Sequence, residues 1–238
     1  MINIFADYQE FKDFLESFYH KKKAIQDEKS NIKQLLIEFA GPPKSGKSTL
    51  IDSIKYQFSD YGIIPEVSID SAVKKDKPLE YMLNSQAKTR ERLIEARNRR
   101  KEEIIFIDCG AFSELALLET YKKNGDINKK EEWIYKNLMK QILFDFVYED
   151  IVFYVSIPLK IEKERINKEV EIKSYQRLNK RKIINPEFIE KFNRTYEELY
   201  NNEPVIKEIM KKVKIVKLDG SKEVKHNLEI IVREIKRI

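Results

Sequence analysis

Gly41-Pro42-Pro43-Lys44-Ser45-Gly46-Lys47-Ser48 fulfils the pattern G-x-x-x-x-G-K-[ST] at every position. A loop of this kind holds phosphates. Backbone N–H groups of the loop and of the following helix start point at the anion. The lysine reaches the terminal phosphates and the hydroxyl sits on Mg²⁺. Lys47 and Ser48 take those two roles. The flanks agree. Leu35-Leu36-Ile37-Glu38-Phe39-Ala40 is an apolar run that fits a buried strand, and Thr49-Leu50-Ile51-Asp52-Ser53-Ile54 begins a helical pattern. Pro42 and Pro43 lack N–H donors, so they belong to the rising arm after Gly41. Lys44, Ser45, Gly46, Lys47, Ser48 and Thr49 are left to donate. Lys44 stands where glycine is common, which predicts a strained backbone there.

A second chemical residue is Asp108, at the end of the apolar run Ile104-Ile105-Phe106-Ile107. A carboxylate at the carboxyl edge of a parallel sheet lies beside the ligand crevice, where it can hold Mg²⁺ with Ser48. An acceptor hydroxyl needs a carboxylate within hydrogen-bond reach. Asp70, ending Val67-Ser68-Ile69, is the candidate, with Glu66 as second choice and helix capping as the alternative role. Leu79, Leu83, Gln86, Ala87, Arg90 and Leu93 share one side of a helical pattern over 78–100. Gln86 and Arg90 thus interrupt an apolar face, as substrate contacts or as polar groups at its edge. Ile172 to Lys182 holds Lys173, Arg177, Lys180, Arg181 and Lys182 and no acid. Arg177 and Arg181, four apart, can face one cleft and stabilise charge on a moving phosphoryl group.

The elements that must position these residues alternate. Strands are expected at 35–40, 62–69, 104–108, 151–157 and 213–218. Helices are expected at 78–100, 130–147, 159–182, 186–200 and 221–237, the 186–200 helix opening on Pro186. The pattern predicts an α/β fold in three layers: a five-stranded parallel sheet with helices on both faces. Residues 1–33 form an extra N-terminal helical extension packed on the core, with Phe11, Phe14, Leu15 and Phe18 as its inward stripe. Residues 34–238 form one domain.

Composition bounds the rest. Hydrophobic residues make 42% and charged residues 36% of the chain, which suits a globular protein. The net charge of +6 suits an anionic ligand but reflects a Lys-rich background. Cys109 is the single cysteine, so no internal disulfide forms and a reducing, cytoplasmic setting is expected. No apolar run approaches the ~20 residues of a membrane span. The start MINIFADYQEFKDFL has early acids and no signal-peptide layout. His20 and His226 make no metal constellation.

Together with the loop, four stretches resemble the thymidylate-kinase-like and deoxynucleoside-kinase-like P-loop kinases. Ile107-Asp108-Cys109-Gly110-Ala111-Phe112 resembles their Asp-Arg-Gly segment. Ile157-Pro158 through Arg165 resembles the strand exit and the start of a lid helix, and Asn185-Pro186-Glu187-Phe188-Ile189 through Leu199 the helix after it. Leu218-Asp219-Gly220-Ser221 resembles the loop near adenine. The resemblance implies a P-loop fold with a basic helical lid at 159–182, and ATP and Mg²⁺ as cofactors. It implies Arg165 and Gly220 beside adenine, Gln86 and Arg90 on the acceptor, and Asp70 where the family keeps its base. Two features depart from the pattern: Cys109 stands for the family's arginine, and the N-terminal helix is extra. The implied function is ATP-dependent phosphoryl transfer to a small nucleoside, nucleotide or related hydroxyl acceptor. The other class is a P-loop NTPase or polynucleotide 5′-kinase working on nucleic acid. Expected partners are a nucleotide and a small acceptor, then nucleic acid, with no membrane and with a homodimer as one permitted state.

Overall fold

A computed structural model describes residues 35–54, 61–64, 77–99, 104–174 and 186–237. The strands are β1 (Leu35–Ala40), β2 (Tyr61–Ile64), β3 (Ile104–Asp108), β4 (Ile151–Ser156) and β5 (Lys214–Asp219). The helices are α1 (Lys47–Ile54), α2 (Pro78–Arg99), α3 (Ala111–Asn124), α4 (Glu132–Tyr148), α5 (Leu159–Ser174), α6 (Pro186–Asn202), α7 (Pro204–Ile209) and α8 (Val224–Ile235). All strand pairs are parallel, in the order β2-β3-β1-β4-β5. β1 is therefore central, and its carboxyl end delivers the phosphate loop to the middle of the sheet edge.

Period-two alternation divides the sheet into two faces. Ile37 and Phe39 of β1 pack with Phe106, Phe153 and Val155 against Leu50, Ile51 and Ile54 of α1 and Ile231 and Ile235 of α8. On the other face Ala40, Val152 and Tyr154 meet α3, α4, α6 and α7 through Phe112, Leu115, Phe146, Tyr196 and Ile206. Aromatic rings fill this second layer, with Phe112 and Phe146 centroids 5.5 Å apart and Phe112 and Tyr196 5.7 Å apart.

The expected fold class is found, with local corrections. α3 and α7 lie where no helix was expected. Buried residues wrap α3 almost all round (Ala111, Phe112, Glu114, Leu115, Ala116, Leu118 and Glu119), so it lacks the one-sided stripe that announces a helix. The inward face of α2 is also turned from the expected one. Leu79, Met82 and Gln86 are buried, whereas Leu83 is 46% exposed and Ala87 is exposed. Met82, one position earlier, takes the core place because the face of α2 is set by α3 and α4, not by its own leucines. β2 ends at Ile64 in the described residues, and 65–69 of the expected strand lie outside them, as do the N-terminal extension and 175–182 of the lid. Among the described residues no helix is long and apolar enough to cross a membrane.

Candidate active site

The phosphate loop owes its shape to two close approaches and one strained residue. A Cβ on Gly41, whose φ is 144°, would stand 2.4 Å from the Val155 carbonyl oxygen, so β1 can leave the sheet only with glycine there. Lys44 has φ of 59°, the expected strain of a side chain in glycine's place. The Ser45 N–H donates to the Pro42 carbonyl at 3.3 Å and closes the turn. Gly46 opens α1, and Thr49 is exposed in its first turn. Lys47 is buried, and its Nζ donates to the Gly41 and Pro42 carbonyls at 2.9 and 3.0 Å. The ammonium thus lies folded across its own loop, over the hollow that a phosphate chain would fill.

Beside the loop, the Ser48 hydroxyl donates to Asp108 Oδ2 at 2.9 Å. β1 and β3 are neighbours in register, Phe39 opposite Asp108, and this pairing brings the two residues together. The chain then turns through Cys109, whose φ is 62° and whose Sγ lies 3.8 Å from Asp108 Oδ1. The donor set is a hydroxyl and a carboxylate, hard oxygens that suit Mg²⁺ with water and phosphate filling its other positions. No cluster of three or more His, Cys, Asp or Glu side chains that could hold a metal ion occurs among the described residues.

After this turn α3 begins, and its first N–H groups are met by buried acids. Glu38 of β1 accepts from Phe112 N at 2.8 Å, Ser113 N at 3.0 Å and Ser113 Oγ at 2.7 Å. Glu149, which follows α4, accepts from Ala111 N at 3.1 Å. Helix starts favour negative charge, and here the sheet itself supplies it. Burial raises both carboxyls, Glu149 far above the ordinary range because Glu38 repels a second charge.

Glu114, one turn into α3, is buried too. Burial pushes it up to about 8, with Asp145 and Glu38 adding repulsion. At neutral pH it is a carboxylic acid with a donor and an acceptor. Gln86 of α2 faces it, and the Gln86 amide nitrogen and oxygen and Glu114 Oε1 are buried without a hydrogen-bond partner among the described residues. Arg90 is turned to α4: its Nε donates to Asp145 Oδ2 at 2.9 Å and its Nη2 to the Gln141 carbonyl at 3.3 Å. The Arg90 charge also works against the rise of Glu114.

From the far side, α5 closes on the loop. Arg165 donates through Nη1 to the Lys44 carbonyl and through Nη2 to the Gly220 carbonyl, both at 3.0 Å. Gly220 is pressed against the loop, since a Cβ there would stand 2.4 Å from the Ser45 carbonyl oxygen. Glu162, one turn before Arg165, is buried, with Asn193 Nδ2 donating to its Oε2 at 2.7 Å. Asp70, Glu66, Arg177 and Arg181 lie outside the described residues. The structure thus gathers Gly41, Lys44, Ser45, Gly46, Lys47, Ser48, Asp108, Arg165 and Gly220 at one sheet edge, with Gln86 in the adjoining layer. Glu38, Glu114, Glu149 and Glu162 escaped the sequence. Their one visible signal was an acid inside an otherwise apolar run, as at Glu38.

Loop, sheet and flanking helices define the three-layer P-loop fold. Solved structures place it more narrowly, in the fold of deoxynucleoside kinases. The deoxyadenosine kinase of M. mycoides with bound dATP matches at a TM-score of 0.62 and 20% identity, over 84% of this chain and 98% of that one. The same enzyme with bound dCTP matches at 0.57 and 19%, over 86% and 100%. With dCMP and dCDP bound it matches at 0.55 and 18%, over 85% and 99%. No family model and no curated protein matches the sequence.

Proposed function

We propose that the protein transfers the γ-phosphoryl group of ATP to a hydroxyl of a nucleoside or a closely related small acceptor. The observation that carries this reading is the 2.9 Å contact of Ser48 with Asp108. It ties the phosphate loop to the turn that launches α3, so the phosphate grip and the acids and amide of the neighbouring layer share one edge. Lys47 neutralises charge that grows on the phosphates during transfer, and Ser48 with Asp108 would hold Mg²⁺, which would supply further neutralisation of that charge. Arg165 and Gly220 border the adenine. Asp70 orients the acceptor hydroxyl, and Arg177 and Arg181 act on the transition state. Gln86 and neutral Glu114 offer two donor–acceptor groups with open valences, the complement of a nucleobase edge. The deoxynucleotide ligands of the similar M. mycoides enzyme support an acceptor of this class.

A transfer screen tests the proposal: γ-labelled ATP with nucleosides, nucleotides and oligonucleotides, scored by where the label goes. Label on a nucleoside is expected. Label found only in free phosphate would make the protein an NTPase, and label on oligonucleotide ends alone would make it a polynucleotide kinase. Asp108→Asn is expected to weaken Mg²⁺-dependent turnover more than metal-free ATP binding. Equal losses would make Asp108 a structural turn residue.

A further inference from the structure

β4 lies between β1 and β5 in the sheet, and the chain that leaves it carries one side chain to the loops on both sides. That side chain is Arg165 of α5. Its Nη1 donates to the Lys44 carbonyl of the phosphate loop, and its Nη2 to the Gly220 carbonyl in the turn after β5, each at 3.0 Å. A guanidinium holds its donors in a rigid planar fork, so the two carbonyls are set relative to each other. Both segments are also held at a second point. The Gly220 N–H donates to the Ser156 carbonyl at 2.7 Å, where β4 ends. The Lys44–Ser45 peptide is planar and trans, so its C=O and N–H point opposite ways. Arg165 takes the oxygen, and the Ser45 N–H donates to the Pro42 carbonyl at 3.3 Å. Lys44 has a φ of 59°, which a residue other than glycine holds only where its surroundings impose it. α5 is itself anchored one turn earlier. Asn193 of α6 donates to Glu162 at 2.7 Å and to the Ile157 carbonyl at 3.1 Å.

We infer that Arg165 is a strap on the phosphate loop: it holds Lys44 in its strained backbone and so aims the loop's N–H groups at a phosphate chain, whatever base that chain carries. The inference rests on the nucleotide-binding reading of the loop. Loss of the fork releases the Lys44 carbonyl, and Lys44 then relaxes towards the negative φ that ordinary residues prefer. The Lys44–Ser45 peptide turns with it, and the donors from Ser45 to Thr49 lose their common aim. Such donors bind an anion as a concavity of successive N–H groups, so the whole set suffers when one peptide turns. Gly220 backs the loop from outside, its backbone so near that a Cβ would stand 2.4 Å from the Ser45 carbonyl oxygen. Arg165 acts through the Lys44 carbonyl and is a positioning residue. A contact with adenine would act differently, because its loss would be felt only by ligands that carry the base.

Metal-free binding of two probes to the full chain tests this: ATP, and inorganic tripolyphosphate, which has the phosphates and no base. Arg165→Ala is expected to weaken both by the same factor, about tenfold or more, since two hydrogen bonds from a charged donor are lost. Arg165→Lys keeps the charge without the fork and is expected to recover little of the loss. Gly220→Ala, which pushes on the Ser45 carbonyl, is expected to weaken both probes alike. In Arg165→Ala, a loss for ATP alone would make Arg165 a base contact and overturn the inference, as would no loss for either probe. Full recovery in Arg165→Lys would assign the effect to charge alone and overturn it too. A wild type that binds ATP and not tripolyphosphate would equally contradict a grip independent of the base. A wild type that binds neither probe would overturn the nucleotide reading and this inference with it.

Discussion

The two faces of the sheet are built from alternate residues of the same strands, yet they differ in kind. Towards α1 and α8 the layer is aliphatic and aromatic: Ile37, Phe39, Phe106, Phe153 and Val155 meet Leu50, Ile54 and Ile231. The acid buried there, Glu234, lies at its margin and is met by Lys214 at 2.6 Å. Towards α3, α4 and α6 the layer holds Glu38, Glu114 and Glu149 in the interior, with Gln86 beside them. Burying such groups is expensive unless they are hydrogen-bonded or neutralised. Glu38 is met through both oxygens, and Glu149 through Oε1, by the start of α3, whereas neither Glu114 nor Gln86 meets a helix start. The difference teaches where stability and recognition are separated. One face supplies packing, and the other holds polarity that a ligand can complete.

Substitutions on the two faces should therefore fail differently. Phe153→Ala, which empties a site with no exposed surface beside Phe39, is expected to lower stability by about 3–5 kcal/mol. Denaturant unfolding would show this, while KM values of the folded fraction stay unchanged. A comparable change in KM would mean that the apolar face also shapes the site. Lys47→Ala should lower turnover by ~10²-fold or more with the unfolding midpoint nearly kept. Wild-type turnover in that variant would remove the loop from the chemistry.

A smaller effect should appear in the pH dependence of stability. Glu114 is raised in the folded state from an ordinary 4.5 to about 8. The folded protein keeps a proton that the unfolded chain releases, so this contribution is complete below about pH 4.5 and is lost as pH rises through about 8. The slope is at most ~1.4 kcal/mol per pH unit, and Glu114→Gln should flatten it. An unchanged slope would assign the dependence to Glu38 and Glu149 instead.

Much of the apolar face and of the phosphate loop was legible in the sequence. β1 and β3 begin and end where their apolar runs do, because strands buried on both faces read as continuous hydrophobic stretches. The loop was legible because its residues are contiguous. The polar face was not. Glu38, Glu114 and Glu149 come from a strand, a helix start and a helix end that meet only in the fold, and α3 hides among residues buried on nearly every side. Leu83 was misplaced for the same reason, since nothing local tells α2 which of its apolar residues α3 and α4 will cover.

The central claim is that the polar face holds the acceptor while the loop holds ATP. Its most direct test is the steady-state kinetics of Gln86→Leu with the acceptor that the transfer screen identifies. The account predicts a fall in kcat/KM for that acceptor of about tenfold or more, because buried polar groups of the acceptor lose their partner, with KM for ATP unchanged. An unaltered acceptor kcat/KM, or a loss confined to ATP, would contradict it.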